Sequence, residues 1–253
     1  MDPASGPDAL APPDWARRPA PREPGLAIPL APSRLAPLEI DTEGEPVELP
    51  REKYRLEEPS AIAPAALRDG QRFLRGTLTH ALLQHLPGLD SATWEGAANR
   101  FVRSRGAALS QRVRDSIVAE TLALLRRSDF APLFGPSSQA EVPIVAEIEV
   151  PGGKGRKLRL TGQIDRLVRL GHEVLIVDYK TNRPPPRRAE DVAEAYTLQL
   201  AAYRLAVRQI FQEVRVRAAV LWTDGPDIME IPADLLDAQQ ARLFALETLN
   251  LDA

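Results

Sequence analysis

Asp178 and Lys180 stand two residues apart in VLIVDYKTN (Val174 to Asn182). Strand side chains alternate, so residues two apart share a face and are offered together where the strand ends. A carboxylate in that place can hold Mg²⁺, a hard cation that prefers oxygen ligands and keeps several waters. A lysine beside it can orient or deprotonate an attacking water, or stabilise the charge that builds on a phosphorane-like centre. For an isolated D-x-K the plain alternative is a surface ion pair at a strand end. Asp165, in GQIDRLVRL (Gly162 to Leu170), changes that balance, because a short turn pairs its strand with the one carrying Asp178. Two carboxylates on adjacent strands repel each other unless a cation sits between them, so a metal there also removes an electrostatic cost. A solvated charge on an edge strand is the alternative for Asp165, and Arg166 beside it leans that way.

Upstream, RGTLTHALLQHL (Arg75 to Leu86) places His80 in an otherwise apolar helical stripe of Phe73, Leu74, Leu78, Leu82, Leu83 and Leu86. A neutral imidazole there can ligate a divalent ion or can be a satisfied core histidine. Gly76, one turn earlier, lets backbone or substrate come close. His85 and His172 read as helix surface and turn. Downstream, Gln199 and Tyr203 are spaced i, i+4 and stack on one helix face, with Tyr196 extending the stripe. They read as ordinary amphipathic packing or as hydrogen-bonding groups that touch a DNA backbone or steady Lys180. Thr181, Asn182 and Arg183 precede PPPRR, a stiff turn that presents Arg183, Arg187 and Arg188 to phosphates or simply to solvent.

Positioning these groups requires an α/β fold. Helices are expected from Arg68 to Leu86, stopped by Pro87 and Gly88, then over Ala92 to Val102 and Ala108 to Arg127. Strands are expected at Glu141 to Val150, Lys157 to Leu170 and Glu173 to Lys180, with PGGKGR and Gly171-His172 as turns. VLIV is apolar on both faces, as a central strand covered on both sides would be. A helix over Asp191 to Phe211, strands at Val214 to Trp222 and Ile228 to Ile231, and a last helix from Pro232 to about Leu249 complete the pattern. Residues 1–60 hold about half of the 24 prolines and show no sustained period, which reads as an extended tether; 61–253 read as the folded domain. Within the tether, Trp15, Leu26, Ile28, Leu30 and Leu35 are candidates to dock on a neighbouring surface, and Ser33 to start a turn of helix.

A hydrophobic content of 44% in 253 residues supports a good-sized core, and a net charge of −3 leaves any nucleic-acid binding to local patches. The absence of cysteine removes disulfides, thiolate zinc sites and iron–sulfur clusters, and fits a cytoplasmic location. No apolar run approaches a membrane span and no secretory signal is visible. GGKGRK is only a turn, so no phosphate-binding loop for ATP is present.

RGTLTH (75–80), EVPI (141–144), GQIDRLV (162–168), VDYKTN (177–182) and YTLQLAAYR (196–204), in this order, resemble the RecB-like branch of the PD-(D/E)XK nuclease superfamily. Within it they are most similar to the C-terminal nuclease domains of AddA-type helicase-nucleases. The resemblance implies a restriction-endonuclease-like core, a central mixed β-sheet flanked by helices, with a helical N-terminal part and an extended proline-rich tail. It implies His80, Asp165 and Asp178 as metal ligands, Lys180 as the catalytic lysine with the two aspartates, and Gln199 and Tyr203 as the family's Q-x-x-x-Y pair. Glu141 falls on the family's acidic position, with Glu147 and Glu149 as competitors, and Arg183 joins the supporting set. Mg²⁺, with Mn²⁺ as substitute, is the implied cofactor, with no iron–sulfur cluster. DNA, an AddB-like subunit and a superfamily 1 helicase motor are the implied partners, the motor normally in the same polypeptide. Since the motor is absent, the chain reads as a detached C-terminal piece, a truncated gene product or a split subunit. The implied activity is a Mg²⁺-dependent DNA exonuclease acting in double-strand break repair by homologous recombination. A catalytically silent DNA-binding or subunit-docking domain, and a nuclease of the same fold in phage recombination or CRISPR adaptation, are the alternatives.

Overall fold

The computed structural model describes residues 30–32, 64–152, 155–181, 185–223, 225 and 227–249. Three helices lead: α1 (Pro64–His85), α2 (Trp94–Arg105) and α3 (Gln111–Leu125). Ser110 caps α3 by accepting a hydrogen bond from the Val113 amide. Strands β1 (Ser138–Glu149), β2 (Lys157–Leu170) and β3 (Glu173–Lys180) follow, then α4 (Glu194–Ile210), β4 (Arg215–Trp222), β5 (Asp227–Glu230) and α5 (Ala233–Leu249). Each expected helix and strand is present, with ends shifted by a few residues. α4, for example, starts at Glu194 because Ala189–Asp191 forms a separate 3-10 turn.

The five strands form one sheet in sequence order, antiparallel throughout except where β3 and β4 run parallel. That parallel step requires a crossover, which α4 supplies. Gly171 is left-handed (φ 61°) in the β2–β3 turn, the backbone that a two-residue hairpin with glycine first demands. One face of the sheet packs on α4 and α5 through Ile164, Ile176, Val220, Leu200 and Leu236. The other packs on α1–α3 through Val168, Val177, Leu221, Leu83 and Ile117. β3 is buried along nearly its whole length, as its unbroken apolar run requires. The architecture is therefore a mixed sheet between two helical layers.

β2 is the longest strand, and only its second half pairs with β3. Along its first half the edge left by β3 is taken by Leu30, whose amide donates to Arg159 O (2.8 Å) and whose carbonyl accepts from Thr161 N (3.0 Å). Trp15, Leu26, Ile28, Ser33 and Leu35 lie outside the described residues. Among the described residues no helix is long and apolar enough to cross a membrane.

Candidate active site

The site is built where β2 parts from β3. Pairing between them runs only from Arg166↔Val177 to Leu170↔Glu173. At the same place the alternation of β2 slips by one residue: Ile164 packs toward α4, whereas Val168 packs toward α1–α3. Arg166 donates to α1, so it lies on the Val168 side. The slip falls on Asp165. Opposite it on β1 the ladder is interrupted between Ala140↔Arg166 and Val142↔Ile164. Glu141 fills that gap in a left-handed backbone (φ 52°), the only non-glycine residue so placed among those described. Such a conformation costs about 1–3 kcal/mol. It turns the Glu141 carboxylate to the place where Asp165 meets His80 of α1.

His80, Glu141 and Asp165 each offer a ligand atom, and these atoms all lie within 4.8 Å of one another. His80 Nδ1 is 3.4 Å from Asp165 Oδ1. Asp165 Oδ2 accepts the Tyr179 amide at 2.7 Å, so the carboxylate satisfies a β3 donor that the splayed ladder leaves open. Asp178 and Lys180 point to the other face, beneath α4. Lys180 Nζ is 2.6 Å from Asp178 Oδ2, donates to Gln199 Oε1 at 3.2 Å, and sits 4.3 Å from the centre of the Tyr196 ring. Both charged residues are 3% exposed, and a buried ammonium needs just such an anion, acceptor and π-face. Asp178 Oδ2 has no partner besides the Lys180 ammonium among the described residues.

Charge and burial set the protonation states. Burial alone would lower His80, but the Asp165 charge and hydrogen bond outweigh it and hold the imidazole above its ordinary value. Burial raises Asp165, but His80 and then Lys180 and the Tyr179 amide bring it below the usual carboxylate range. Asp178 is pushed up by burial and by Asp165, against the pull of Lys180. Glu141 is also pushed up, by burial and then by the Asp165 charge. Burial works against the Lys180 ammonium, yet Asp178 holds it above its ordinary value. Crowded carboxylates, two of them raised, beside an imidazole are the donor set of a hard divalent cation with mixed O and N ligation.

A second chain of contacts supports Glu141. Its Oε2 accepts from Gln163 Nε2 at 2.7 Å, and Gln163 O accepts from Tyr203 OH at 2.7 Å. The Tyr203 ring lies so close to Gly162 that a Cβ there would stand 3.0 Å from Cε1 and 3.2 Å from Pro32 Cδ. Gln199 and Tyr203, stacked on one face of α4, thus reach different parts of the site: Lys180 and Gln163. A cleft of about 290 Å³ opens beside the triad, lined by Phe73, Gly76, His80 and Gln84 of α1 with Glu141 and Thr181. A Cβ at Gly76 would stand 3.5 Å from Thr181 Oγ1, so α1 approaches the end of β3 closely.

Some expected residues are elsewhere. Glu147 pairs with Arg159 and Lys157, and Glu149 lies opposite Lys157, both away from His80. Arg183 is outside the described residues. Arg187 is exposed, and Arg188 is bound to Asp191. His85 and His172 are exposed. The alternative for Asp165, a solvated charge on an edge strand with Arg166 beside it, does not hold: β2 is an interior strand and Arg166 is 3% exposed. The side chains of Gln163 and Tyr179 carry no signal in the sequence, because neither belongs to a spaced pair.

No curated protein matches the chain significantly. Among solved structures it is similar to the crystal structure of SSO0001, with 19% identity over 76% of this chain and 88% of that chain and a TM-score of 0.33, too remote to bear on the site. The sequence profile of the PD-(D/E)XK nuclease superfamily matches residues 51–245. With that match spanning most of the chain, over a mixed sheet whose splayed strands gather His80, Glu141 and Asp165 beside the Asp178–Lys180 pair, the chain belongs to the PD-(D/E)XK nuclease superfamily.

Proposed function

We propose that this domain is a Mg²⁺-dependent deoxyribonuclease, with Mn²⁺ able to substitute, that trims DNA ends as the nuclease part of an AddAB-type helicase-nuclease in double-strand break repair. The observation that carries the reading is the convergence of His80, Glu141 and Asp165 within 4.8 Å beside a cleft lined by Tyr179 and Thr181 of the β3 end, the strand end that also carries the buried Asp178–Lys180 pair. The superfamily 1 motor, an AddB-like partner and DNA belong to the same proposal, supported by the ordered motifs that resemble AddA-type nuclease domains.

His80 and Asp165, with Glu141 beside them, would hold the ion; the resemblance adds Asp178, which here is paired with Lys180 on the α4 side. When bound, a divalent ion supplies Lewis-acid polarisation of a scissile phosphate and acidifies a bound water. Lys180 is held as an ammonium by Asp178 and Gln199, so at neutral pH it acts as a donor rather than a base. It orients the attacking water and offsets charge developing on phosphorus. Tyr196 and Gln199 fix the Nζ position. Tyr203, through Gln163, fixes Glu141.

The test is cleavage of end-labelled linear single- and double-stranded DNA with Mg²⁺, with EDTA, and by Asp178→Ala. Cleavage that needs the metal and disappears in the variant supports the reading. No cleavage even with an AddB-like partner and a motor supplied would assign the domain to docking or DNA binding instead.

A further inference from the structure

Arg166 is an anomaly that the nuclease reading leaves unexplained. Its guanidinium is buried, and among the described residues it forms no ion pair. All its described partners are neutral oxygens: Nε donates to Tyr179 OH at 2.8 Å, Nη1 to Ser138 Oγ at 3.1 Å, and Nη2 to Leu83 O. The ring of Phe134 lies 4.9 Å away. Burying a cation without an anion is costly, and an amide or apolar residue would fill such space at less expense.

The partners explain the choice. Leu83 is three residues beyond His80 on α1, Ser138 opens β1 three residues before Glu141, and Tyr179 lies between Asp178 and Lys180 on β3. The fork of one side chain therefore fixes the three elements that meet Asp165, its own neighbour on β2. Tyr179 passes the constraint on: its amide holds Asp165 Oδ2, and its ring meets the His80 ring edge-on with centroids 5.4 Å apart.

We propose that Arg166 is the positioning residue of the metal triad, setting the mutual placement of His80, Glu141 and Asp165 through Leu83, Ser138 and Tyr179. The proposal rests on the reading of those three residues as a metal site. It requires the planar fork and not the charge alone, since three donors go to three separate elements and an ammonium on a flexible stem cannot reproduce that. Residues that orient metal ligands typically change affinity about 10–100-fold when lost.

The experiment is Mn²⁺ binding, followed by electron paramagnetic resonance of the free ion, for the parent chain, Arg166→Lys, Arg166→Gln and Tyr179→Phe, with far-UV circular dichroism confirming that each is folded. Expected is a roughly 10-fold or greater weakening in both arginine variants, with lysine failing to rescue. Tyr179→Phe, which keeps its ring and amide but loses the hydroxyl that Arg166 grips, is expected to weaken binding several-fold. It remains informative if the arginine variants do not fold. Parent-like binding in the folded arginine variants, or in Tyr179→Phe if those do not fold, overturns the proposal while leaving the metal site intact. No Mn²⁺ binding by the parent itself would instead sink the metal-site reading and the proposal with it.

Discussion

Replacing Lys180 by Met keeps the length of the side chain and removes its charge, leaving the Asp178 carboxylate buried with no cation at 2.6 Å. Breaking a buried pair from one side usually costs about 3–5 kcal/mol. Here the loss has a ceiling, because Asp178 can escape by taking up a proton. From an unfolded-state value of 3.8, protonation at pH 7 costs 3.2 × 1.36, or about 4 kcal/mol, and the cheaper route prevails. The loss at pH 7 is therefore about 3–4 kcal/mol. Without Lys180 the folded carboxyl lies still further above its unfolded value, so the native state holds the extra proton. Stability then falls as pH rises from the unfolded value toward the folded one, and the penalty shrinks on acidification. Two pH units below 7 recover about 2.7 kcal/mol. At 2–4 °C per kcal/mol for a domain of this size, melting in EDTA should drop by about 10 °C relative to the parent at pH 7 and by about 2 °C at pH 5. Circular-dichroism melts of both proteins at the two pH values decide it. A variant as stable as the parent at pH 7, or a deficit of equal size at pH 5, refutes the buried-pair account of Lys180.

Gly162→Ala places a Cβ 3.0 Å from Tyr203 Cε1 and 3.2 Å from its hydroxyl, so it should lower urea stability by about 1–3 kcal/mol; Gly70→Ala, in open space on α1, should instead gain up to about 1 kcal/mol. The reverse ranking would contradict the contact between Tyr203 and β2. In the metal-free protein the His80–Asp165 pair holds His80 above its ordinary value of 6.5, so its stabilisation is present below that value and is lost as pH rises through the higher folded one. Mg²⁺ must displace that proton, so the melting increment produced by a fixed Mg²⁺ concentration should grow from about pH 6 to about pH 8, reaching about 2.7 kcal/mol where the ion exceeds its Kd 100-fold. The same scan on His80→Ala should be flat; an increment in the parent that does not depend on pH would separate His80 from the metal.

Local spacing was enough to bring out Asp178, Lys180, His80 and Gln199, because each announces itself within one strand or one helical face. The choice among Glu141, Glu147 and Glu149 was not legible. All three are odd-numbered on one strand, so alternation treats them alike. Only the register, which puts Glu147 opposite Arg159 and Glu149 opposite Lys157, with the left-handed backbone at Glu141, separates them. The burial of Arg166 was not legible for a related reason. In a regular strand it would share a face with Ile164, and the slip at Asp165 sends it to the other side. The short β1–β2 and β2–β3 turns and the helix-length gap before β4 account for the observed sheet order and its one parallel step. Contacts bridging more than a hundred residues, such as Leu30 on β2, leave no periodic trace.

That bridge has a bearing on how safely the protein keeps to itself. Where β2 leaves β3 it would present a row of free amides and carbonyls on a long, half-apolar strand, the template on which foreign strands pair and aggregates grow. Leu30 occupies Arg159 O and Thr161 N, and Pro32, which has no amide to offer, follows directly over Gly162. The stretch thus ends the ladder instead of extending it. A chain trimmed beyond Pro32 keeps every residue of the candidate site yet uncovers an inner sheet edge beside it, trading a quiet surface for an adhesive one.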